Sequence, residues 1–351
     1  MIDNSRFILN SKASVRDAIK LINSIAIPNM ALFVVDDNNK LLGTITDGDI
    51  RRGLLNGLEI DQNVLNFSNT NFKYIVKGEN NFEKIKNYKS KGIRFIPTLD
   101  IDNGTILNFV DLDLIKSILP IDVVLMAGGI GERLKPLTNN TPKPMLVVGD
   151  KPIIIRNIDR LKSFGVSDFH VSVRYLAQQI EQGLKIYCND DVNFNIVFEE
   201  EPLGTIGAIN LIKEFKNDTV LLMNSDLLTN IDFEDFYQKF LESNADMQVA
   251  TIPYNVDIPY AVMEITTDNL VTAFKEKPRY TYYSNAGIYI FKKKLIEYIP
   301  HNQKFDATHF MEIIIKNNKT LSSYPIMDYW LDIGRLEDFY KAQEDVKHVK
   351  F

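Results

Sequence analysis

Residues 123–145 read VVLMAGGIGERLKPLTNNTPKPM. The run Ile121–Met126 has the length and apolar character of one buried strand, and Gly128-Gly129-Ile130-Gly131 follows it almost at once. Glycines let successive backbone N–H groups turn toward one point, where they form a nest for an anion. Arg133, two residues on, adds a planar fork of donors suited to phosphate. Lys143 sits between Pro142 and Pro144, whose fixed φ stiffens the backbone that carries it. The glycine spacing matches neither the GxGxxG dinucleotide fingerprint nor the GxxxxGK[ST] phosphate loop. Taken alone, the loop is also compatible with a tight strand-to-helix turn that leaves Arg133 and Lys143 on the surface.

Downstream, strand-like and helix-like runs alternate. Asp168–Val173 precedes Tyr175–Tyr187, Asn193–Phe198 precedes Thr205–Phe215, and Thr219–Met223 precedes Phe233–Ser243. This spacing predicts βαβ units around a largely parallel sheet. Strands dominate from Gln248 to Phe291, as an inserted or edge β region, and helical patterns return at Asp306–Asn317 and Arg335–Val346.

Upstream, the chain repeats itself. Shifting it by 64 residues overlays LFVVDDNNKLLGTITDGDI, from Leu32, on IPTLDIDNGTILNFVDLDL, from Ile96. A helical pattern precedes each copy, and each ends in an acidic turn expected to open a helix, Asp47-Gly48-Asp49 and Asp111-Leu112-Asp113. One copy is too small to bury a robust core alone. Two copies packed together, about 1–60 and 61–119, make one domain, with residues 120–351 as a second and Leu119-Pro120 as the hinge.

The 351 residues are 45% hydrophobic and 25% charged, with 40 Lys+Arg against 46 Asp+Glu. That is globular composition, and it excludes disordered, collagenous and coiled-coil chains. The net charge of −6 argues against a broad nucleic-acid footprint. Residues 1–120 hold 15 basic and 14 acidic side chains, so the negative charge lies in the second unit, and any phosphate binding there needs locally placed cations. The one cysteine, Cys188, has no partner for an internal disulfide, so a reducing, cytoplasmic compartment is expected. The N-terminus has no apolar stretch of signal-peptide length, and no run approaches the ~18 apolar residues that span a bilayer, so no membrane partner is expected.

The full string GG-x-G-x-RL-x-PLT followed by PKP resembles the signature of the sugar-1-phosphate nucleotidylyltransferases, and the resemblance extends from about Asp122 to Val346. Further motifs of that family occur in order: Glu201-Pro202-Leu203-Gly204-Thr205-Ile206-Gly207, Asn224-Ser225-Asp226, Glu276-Lys277-Pro278, Asn285-Ala286-Gly287 and Trp330-Leu331-Asp332-Ile333-Gly334. The implied fold class is α/β, a Rossmann-like nucleotidyltransferase domain with a mixed, mostly parallel sheet. The resemblance implies that Arg133 and Lys143 are catalytic and that Gly128, Gly129, Gly131, Glu201, Gly204 and Thr205 bind nucleotide. It implies that Asn224, Glu276, Lys277 and Asn285 bind the sugar phosphate and that Asp226 and Asp332 hold Mg²⁺. On the residues alone, Asp226 fits a carboxylate at the carboxyl end of a strand, where open α/β sheets bind ligands. It fits a helix cap or turn residue equally well. Glu276-Lys277-Pro278 also reads as a charged turn, Asn285 as a strand-end cap and Asp306 as a helix cap. Departures from the family are Ile206 in place of a small residue, Glu132 in a slot often held by threonine, Glu199–Glu201 beside the base loop, and Ala261 after Tyr260 where glycine is usual. The four histidines show no zinc-ligand spacing.

The implied reaction is attack of a sugar-1-phosphate on the α-phosphorus of an NTP, with pyrophosphate leaving. GTP with glucosamine-1-phosphate or its N-acetyl form is favoured, as in bacterial relatives that supply legionaminic acid synthesis; mannose-1-phosphate is the alternative. A non-catalytic nucleotide-sugar sensor is the reading from another class, and intact Arg133, Lys143, Asp226 and Asp332 argue against it. The repeat resembles a tandem CBS pair, an α+β module, with Thr46, Asp47 and Asp49 as the implied regulatory nucleotide site. Val110 stands where a second hydroxyl belongs, so one site, in the first copy, is expected; a purely structural or dimerising module is the alternative. A homo-oligomer, at least a dimer, is expected.

Overall fold

A computed structural model describes residues 4–25, 31–188, 192–349 and 351. It divides into two compact units, Met1–Ile118 and Leu119–Phe351.

The second unit is built on a seven-stranded sheet of β1 (Asp122–Ala127), β2 (Asp168–Val173), β3 (Asn193–Phe198), β4 (Thr219–Asn224), β5 (Met247–Asp257), β6 (Arg279–Lys292) and β7 (Leu321–Pro325), in the order β3-β2-β1-β4-β6-β5-β7. The pairs β3–β2, β2–β1 and β1–β4 are parallel. Only β6 runs against the rest. Val123, Val124, Leu125, Val171, Val173, Leu221, Leu222 and Ile290 are buried, which explains the unbroken apolar runs: a parallel sheet covered on both faces needs no alternation. Beyond the sheet, β5 and β6 continue as a two-stranded extension, and a separate hairpin pairs Val262–Ile265 with Val271–Lys275.

Two expectations fail here. The predicted helix Thr205–Phe215 is only a 3₁₀ turn, Gly207–Leu211. Its backbone is committed elsewhere, because the N–H groups of Ile206 and Gly207 both donate to the carbonyl of Phe305, each at 3.2 Å. Conversely, the helix Ile153–Ser163 has no counterpart in the expected βαβ series, although Ile154, Ile155, Ile158 and Leu161 form a buried stripe at helical spacing behind Pro152.

In the first unit, the strands Ile8–Asn10, Leu32–Val35 and Leu41–Ile45 form one sheet, and Ile75–Val76, Phe95–Leu99 and Ile106–Asp111 form another. Each sheet pairs its first two strands in parallel and its last two antiparallel, with one helix, Val15–Ile25 or Phe82–Ser90, between strands one and two. The repeat in the sequence is thus a repeat in topology. The copies meet through Phe7, Phe33, Phe95 and Phe109, with centroids 4.8 Å apart for Phe7–Phe95 and 4.7 Å for Phe33–Phe109. The copies differ at their ends. The first acidic turn opens the helix Asp47–Leu55. The second, contrary to expectation, opens none: Asp111 accepts from the N–H of Asp113 at 2.9 Å in a local turn, and Lys89 takes the carbonyls of Ile115 and Lys116 at 2.7 Å each.

Candidate active site

The glycine loop leaves the carboxyl end of β1. Gly131 has φ +72°, and a Cβ there would lie 3.0 Å from Thr138 and 3.1 Å from Lys143. Thr138 closes the loop by donating to the Gly131 carbonyl at 2.9 Å. Behind Gly128 stands the buried Glu199, whose carboxylate accepts from the hydroxyl of Ser172 and from the N–H of Leu203 at 3.0 Å. The acidic run therefore splits. Glu199 braces the loop, whereas Glu200 and Glu201 face a separate cavity of about 460 Å³ beside Phe198 and Leu211.

A cavity of about 310 Å³ opens over the strand ends, bounded by Gly128, Gly129, Gly204, Thr205, Asn224 and Asp226. Two cations that the sequence reading passed over, Arg174 and Lys304, line it too. Arg174 directly follows β2, so a basic residue at a strand's carboxyl end was the available signal. Gly204 has φ +79°, and a Cβ there would lie 2.6 Å from the Phe305 carbonyl, so only glycine fits this approach. Asp306 occupies the N-cap position of the helix Ala307–Lys316 but does not cap it. Its carboxylate accepts from the Thr205 N–H at 3.0 Å, and the Thr205 hydroxyl accepts from Ala307 N–H at 2.8 Å in its place. Ile206 is fully buried in the core, so the departure at that position does not alter the cavity.

Lys143, Asp226 and Asp332 converge. The Lys143 ammonium pairs with Asp226 and lies 3.8 Å from Asp332 Oδ1. The two carboxylates are brought together by a short ribbon in which Leu227–Thr229 pairs antiparallel with Trp330–Asp332, setting Asp332 opposite Leu227. Ile333 N–H donates to the Asp226 carbonyl at 3.2 Å, and Trp330 Nε1 donates to the Ala286 carbonyl of β6 at 3.0 Å. From below, Asn157 of the unforeseen helix donates to the carbonyls of Ser225 at 3.3 Å and Leu227 at 2.9 Å, clasping the backbone on both sides of Asp226. A buried amide on the apolar stripe of that helix was the sequence signal for it.

Burial and the neighbouring Asp226 charge push the Asp332 carboxyl above the usual range, against the pull of Lys143 and Arg133. Asp226 Oδ1 and Asp332 Oδ1 are both buried without a hydrogen-bond partner. Two such oxygens facing one cation suit a divalent metal that completes its shell with water and phosphate. No group of three or more His, Cys, Asp or Glu in metal-binding arrangement occurs among the described residues.

Asn224 and Asn285 meet at Gly287. A Cβ on Gly287 would lie 2.6 Å from Asn224 Nδ2, and Asn285 accepts from the Gly287 N–H at 2.9 Å while donating to the Tyr289 hydroxyl at 2.8 Å. Glu276 and Lys277 are not gathered into the 310 Å³ cavity; both are exposed in the turn between Val271–Lys275 and β6. Tyr260 is also exposed.

In the first unit, Thr46, Asp47 and Asp49 lie together at the start of the helix Asp47–Leu55. Thr46 and Asp49 form a reciprocal capping box: the Thr46 hydroxyl accepts from Asp49 N–H at 3.2 Å, and the Asp49 carboxylate accepts from Thr46 N–H at 2.9 Å. Asp49 also pairs with Arg52 at 2.6 Å, and Asp47 with Arg51 at 2.7 Å. These side chains already satisfy one another.

Residues 122–349 match the family described as Nucleotidyl transferase, nearly the whole second unit. The chain belongs to the nucleotidyl transferase family. Residues 4–56 match the CBS domain, which covers the first of the two N-terminal copies. Among relatives of the transferase region, the mannose-1-phosphate guanyltransferase of Kluyveromyces lactis is 33% identical over 230 residues, 62% of each chain. The mannose-1-phosphate guanylyltransferase of Mycobacterium tuberculosis is 27% identical over 231 residues, 64% of each chain. The chain spans about 62% of the length of the first of these curated relatives. The crystal structure of HddC from Yersinia pseudotuberculosis superposes with TM-score 0.51 at 32% identity, covering 64% of this chain and 99% of that one. A second HddC structure, complexed with GMP-PN, gives TM-score 0.51 at 31% identity. No helix among the described residues is long and apolar enough to cross a membrane.

Proposed function

We propose that this chain transfers a nucleoside monophosphate from an NTP to a sugar-1-phosphate, releasing pyrophosphate and forming an NDP-sugar. The observation that carries the reading is the convergence of Lys143, Asp226 and Asp332 beside the glycine loop, with an orphaned buried oxygen on each carboxylate. GTP is the favoured nucleotide because the relatives are named as guanylyltransferases and a structural neighbour is complexed with GMP-PN. Mannose-1-phosphate is the sugar those names support. Glucosamine-1-phosphate or its N-acetyl form rests on the sequence resemblance alone.

Asp226 and Asp332 would hold Mg²⁺, which supplies charge neutralisation at the α-phosphate and at the incoming sugar phosphate. The chain's own part is alignment. The Gly128–Gly131 backbone and Arg133 would hold the triphosphate, and Lys143 would neutralise the reacting phosphates. Asn224 and Asn285, meeting at Gly287, would orient the sugar; a sugar-side role for Glu276 and Lys277, exposed in the turn before β6, rests on the sequence resemblance alone. Gly204 and Thr205 would border the base, whereas Glu201, expected beside them, faces the separate cavity next to Phe198. The attacking oxygen of the sugar phosphate is already anionic at neutral pH, so no general base is required. It forms a bond to the α-phosphorus, the bond from that phosphorus to the β-phosphate oxygen breaks, and the electron pair leaves on pyrophosphate.

The test is pyrophosphate release with Mg²⁺ across four NTPs and a panel of sugar-1-phosphates. GTP with one sugar should dominate; no release with any pair would overturn the reading in favour of a sensor. For the first unit, we propose a CBS pair that packs as one domain. Its regulatory nucleotide, if taken at Thr46, Asp47 and Asp49, must displace the capping box. Calorimetry with AMP, ATP, GMP and GTP tests that, and absence of heat would leave the three residues as a helix cap.

A further inference from the structure

A cavity of about 360 Å³ next to the carboxylate pair is lined by Arg133, Arg335, Leu336 and Glu337. Gly334 joins it to the pair: a Cβ there would lie 3.5 Å from Arg133 Nη2 and 3.7 Å from both carboxylate oxygens of Asp332. Arg133 thus lines this cavity and is also close enough to Asp332 to pull its carboxyl downward. Neither Arg133 nor Arg335 forms a side-chain ion pair among the described residues, while most other arginines of this unit are paired or bonded, as Arg156 is to Asp150 and Arg279 to Asp257. Two guanidinium groups facing one cavity repel each other unless an anion comes between them. Glu337 also lines the cavity, so the side chains sum to one positive charge before anything binds.

We infer that this cavity receives the pyrophosphate end of the nucleoside triphosphate, with Arg335 as a second leaving-group cation beside Arg133. The inference rests on the nucleotidyl-transfer reading above and adds a residue to it. When the bond between α-phosphorus and β-phosphate oxygen breaks, its electron pair stays on that oxygen, and pyrophosphate leaves with one more negative charge. A planar fork there strengthens its hold as the charge arrives, which is stabilisation in the transition state rather than the ground state. Lysine offers a single charged point and cannot bridge two phosphoryl oxygens in this way. Glu337 would oppose the same charge and so keep product from binding too tightly to leave.

The experiment is calorimetry of the full chain with Mg²⁺ and pyrophosphate, for the wild type, Arg335→Gln, Arg335→Lys and Glu337→Gln. Alongside it, the reverse reaction is followed from NDP-sugar and pyrophosphate. Arg335→Gln should weaken pyrophosphate binding and raise its KM in the reverse direction by about 10-fold or more, the scale of one lost charge-assisted contact. KM for NDP-sugar should stay near wild type, Arg335→Lys should recover part of the loss, and Glu337→Gln should tighten pyrophosphate. Equal pyrophosphate affinity in wild type and Arg335→Gln, or no binding to either, overturns the site. Arg335-dependent binding in a protein that turns over no NTP would instead refute the transfer reaction and leave the site standing.

Discussion

Two adjacent glycines of the loop should respond oppositely to one added methyl. At Gly128 an added Cβ lies 2.6 Å from Glu199 Oε1, whereas at Gly129 it meets nothing within 4 Å. Ordinary contact begins at 3.4 Å, so Gly128→Ala forces the carboxylate back by about 0.8 Å (3.4 minus 2.6). The clash falls on Oε1, the oxygen that accepts from the buried Ser172 hydroxyl, and that hydrogen bond does not survive the retreat. A hydrogen bond to a charged acceptor contributes about 1.5–3 kcal/mol, and here its loss strands a buried group. Gly128→Ala should therefore cost about 2 kcal/mol and lower Tm by roughly 4–8 °C for a unit of this size. Gly129→Ala should change stability by less than about 0.5 kcal/mol. Its methyl points into open space over the loop, so KM for the NTP should rise by about 10-fold through misplacement of the phosphates. Thermal unfolding and initial-rate kinetics on both variants decide it. An unchanged Tm for Gly128→Ala would refute the bracing role of Glu199, and an unchanged KM for Gly129→Ala would refute the loop as a phosphate cradle.

Asp226→Ala and Asp332→Ala should each lower turnover by about 1,000-fold or more, the scale of several kcal/mol of metal-derived charge stabilisation, with circular dichroism unchanged; turnover near wild type in either would remove that residue from the metal pair. Chelation should stop the wild-type reaction and added Mg²⁺ restore it. Burial holds the His170 imidazole below its ordinary pKa against the opposing charge of Asp122, and its Nδ1 accepts from Asn195 at 2.9 Å. The unfolded chain thus binds more protons in that window, and stability should fall as pH drops through the unfolded pKa of about 6.5. His170→Gln should flatten that acid limb in urea titrations at pH 5–7, and an identical slope would contradict it. Thr46→Ala removes half of a capping box and should cost the first unit about 1 kcal/mol, read as a shift in its urea midpoint without ligand; no shift would argue that Thr46 is held for a ligand rather than as a cap.

The parts of this molecule legible in its sequence are those set by local chemistry. The strand and glycine loop at 122–131, the helix Phe233–Ser243 and the 64-residue repeat each depend on neighbours along the chain. The helix Ile153–Ser163 was equally local, with its apolar stripe and leading proline, yet a series anchored on strand–helix alternation skipped it. Other features depended on pairings that no local pattern records. Asp226 and Asp332 are adjacent because Leu227 pairs with Asp332 across a three-residue ribbon, a register that nothing around either aspartate encodes. The segment after Gly204 failed as a helix for the same kind of reason, since a distant carbonyl at Phe305 took its N–H groups. Glu199 and Arg174 show that charge beside a motif can be structure or site depending on which way β3 and β2 end.

The bond from Trp330 to the Ala286 carbonyl has a mechanical consequence. Ala286 neighbours Asn285 on β6, and Trp330 lies two residues before Asp332. The strand that would grip the sugar and the ribbon that carries a metal carboxylate are thus pinned to a common reference point. A sugar that seats badly against Asn285 pulls on the same peptide from which Asp332 is hung. Discrimination between sugars can then be expressed as misalignment at phosphorus, in turnover rather than in affinity.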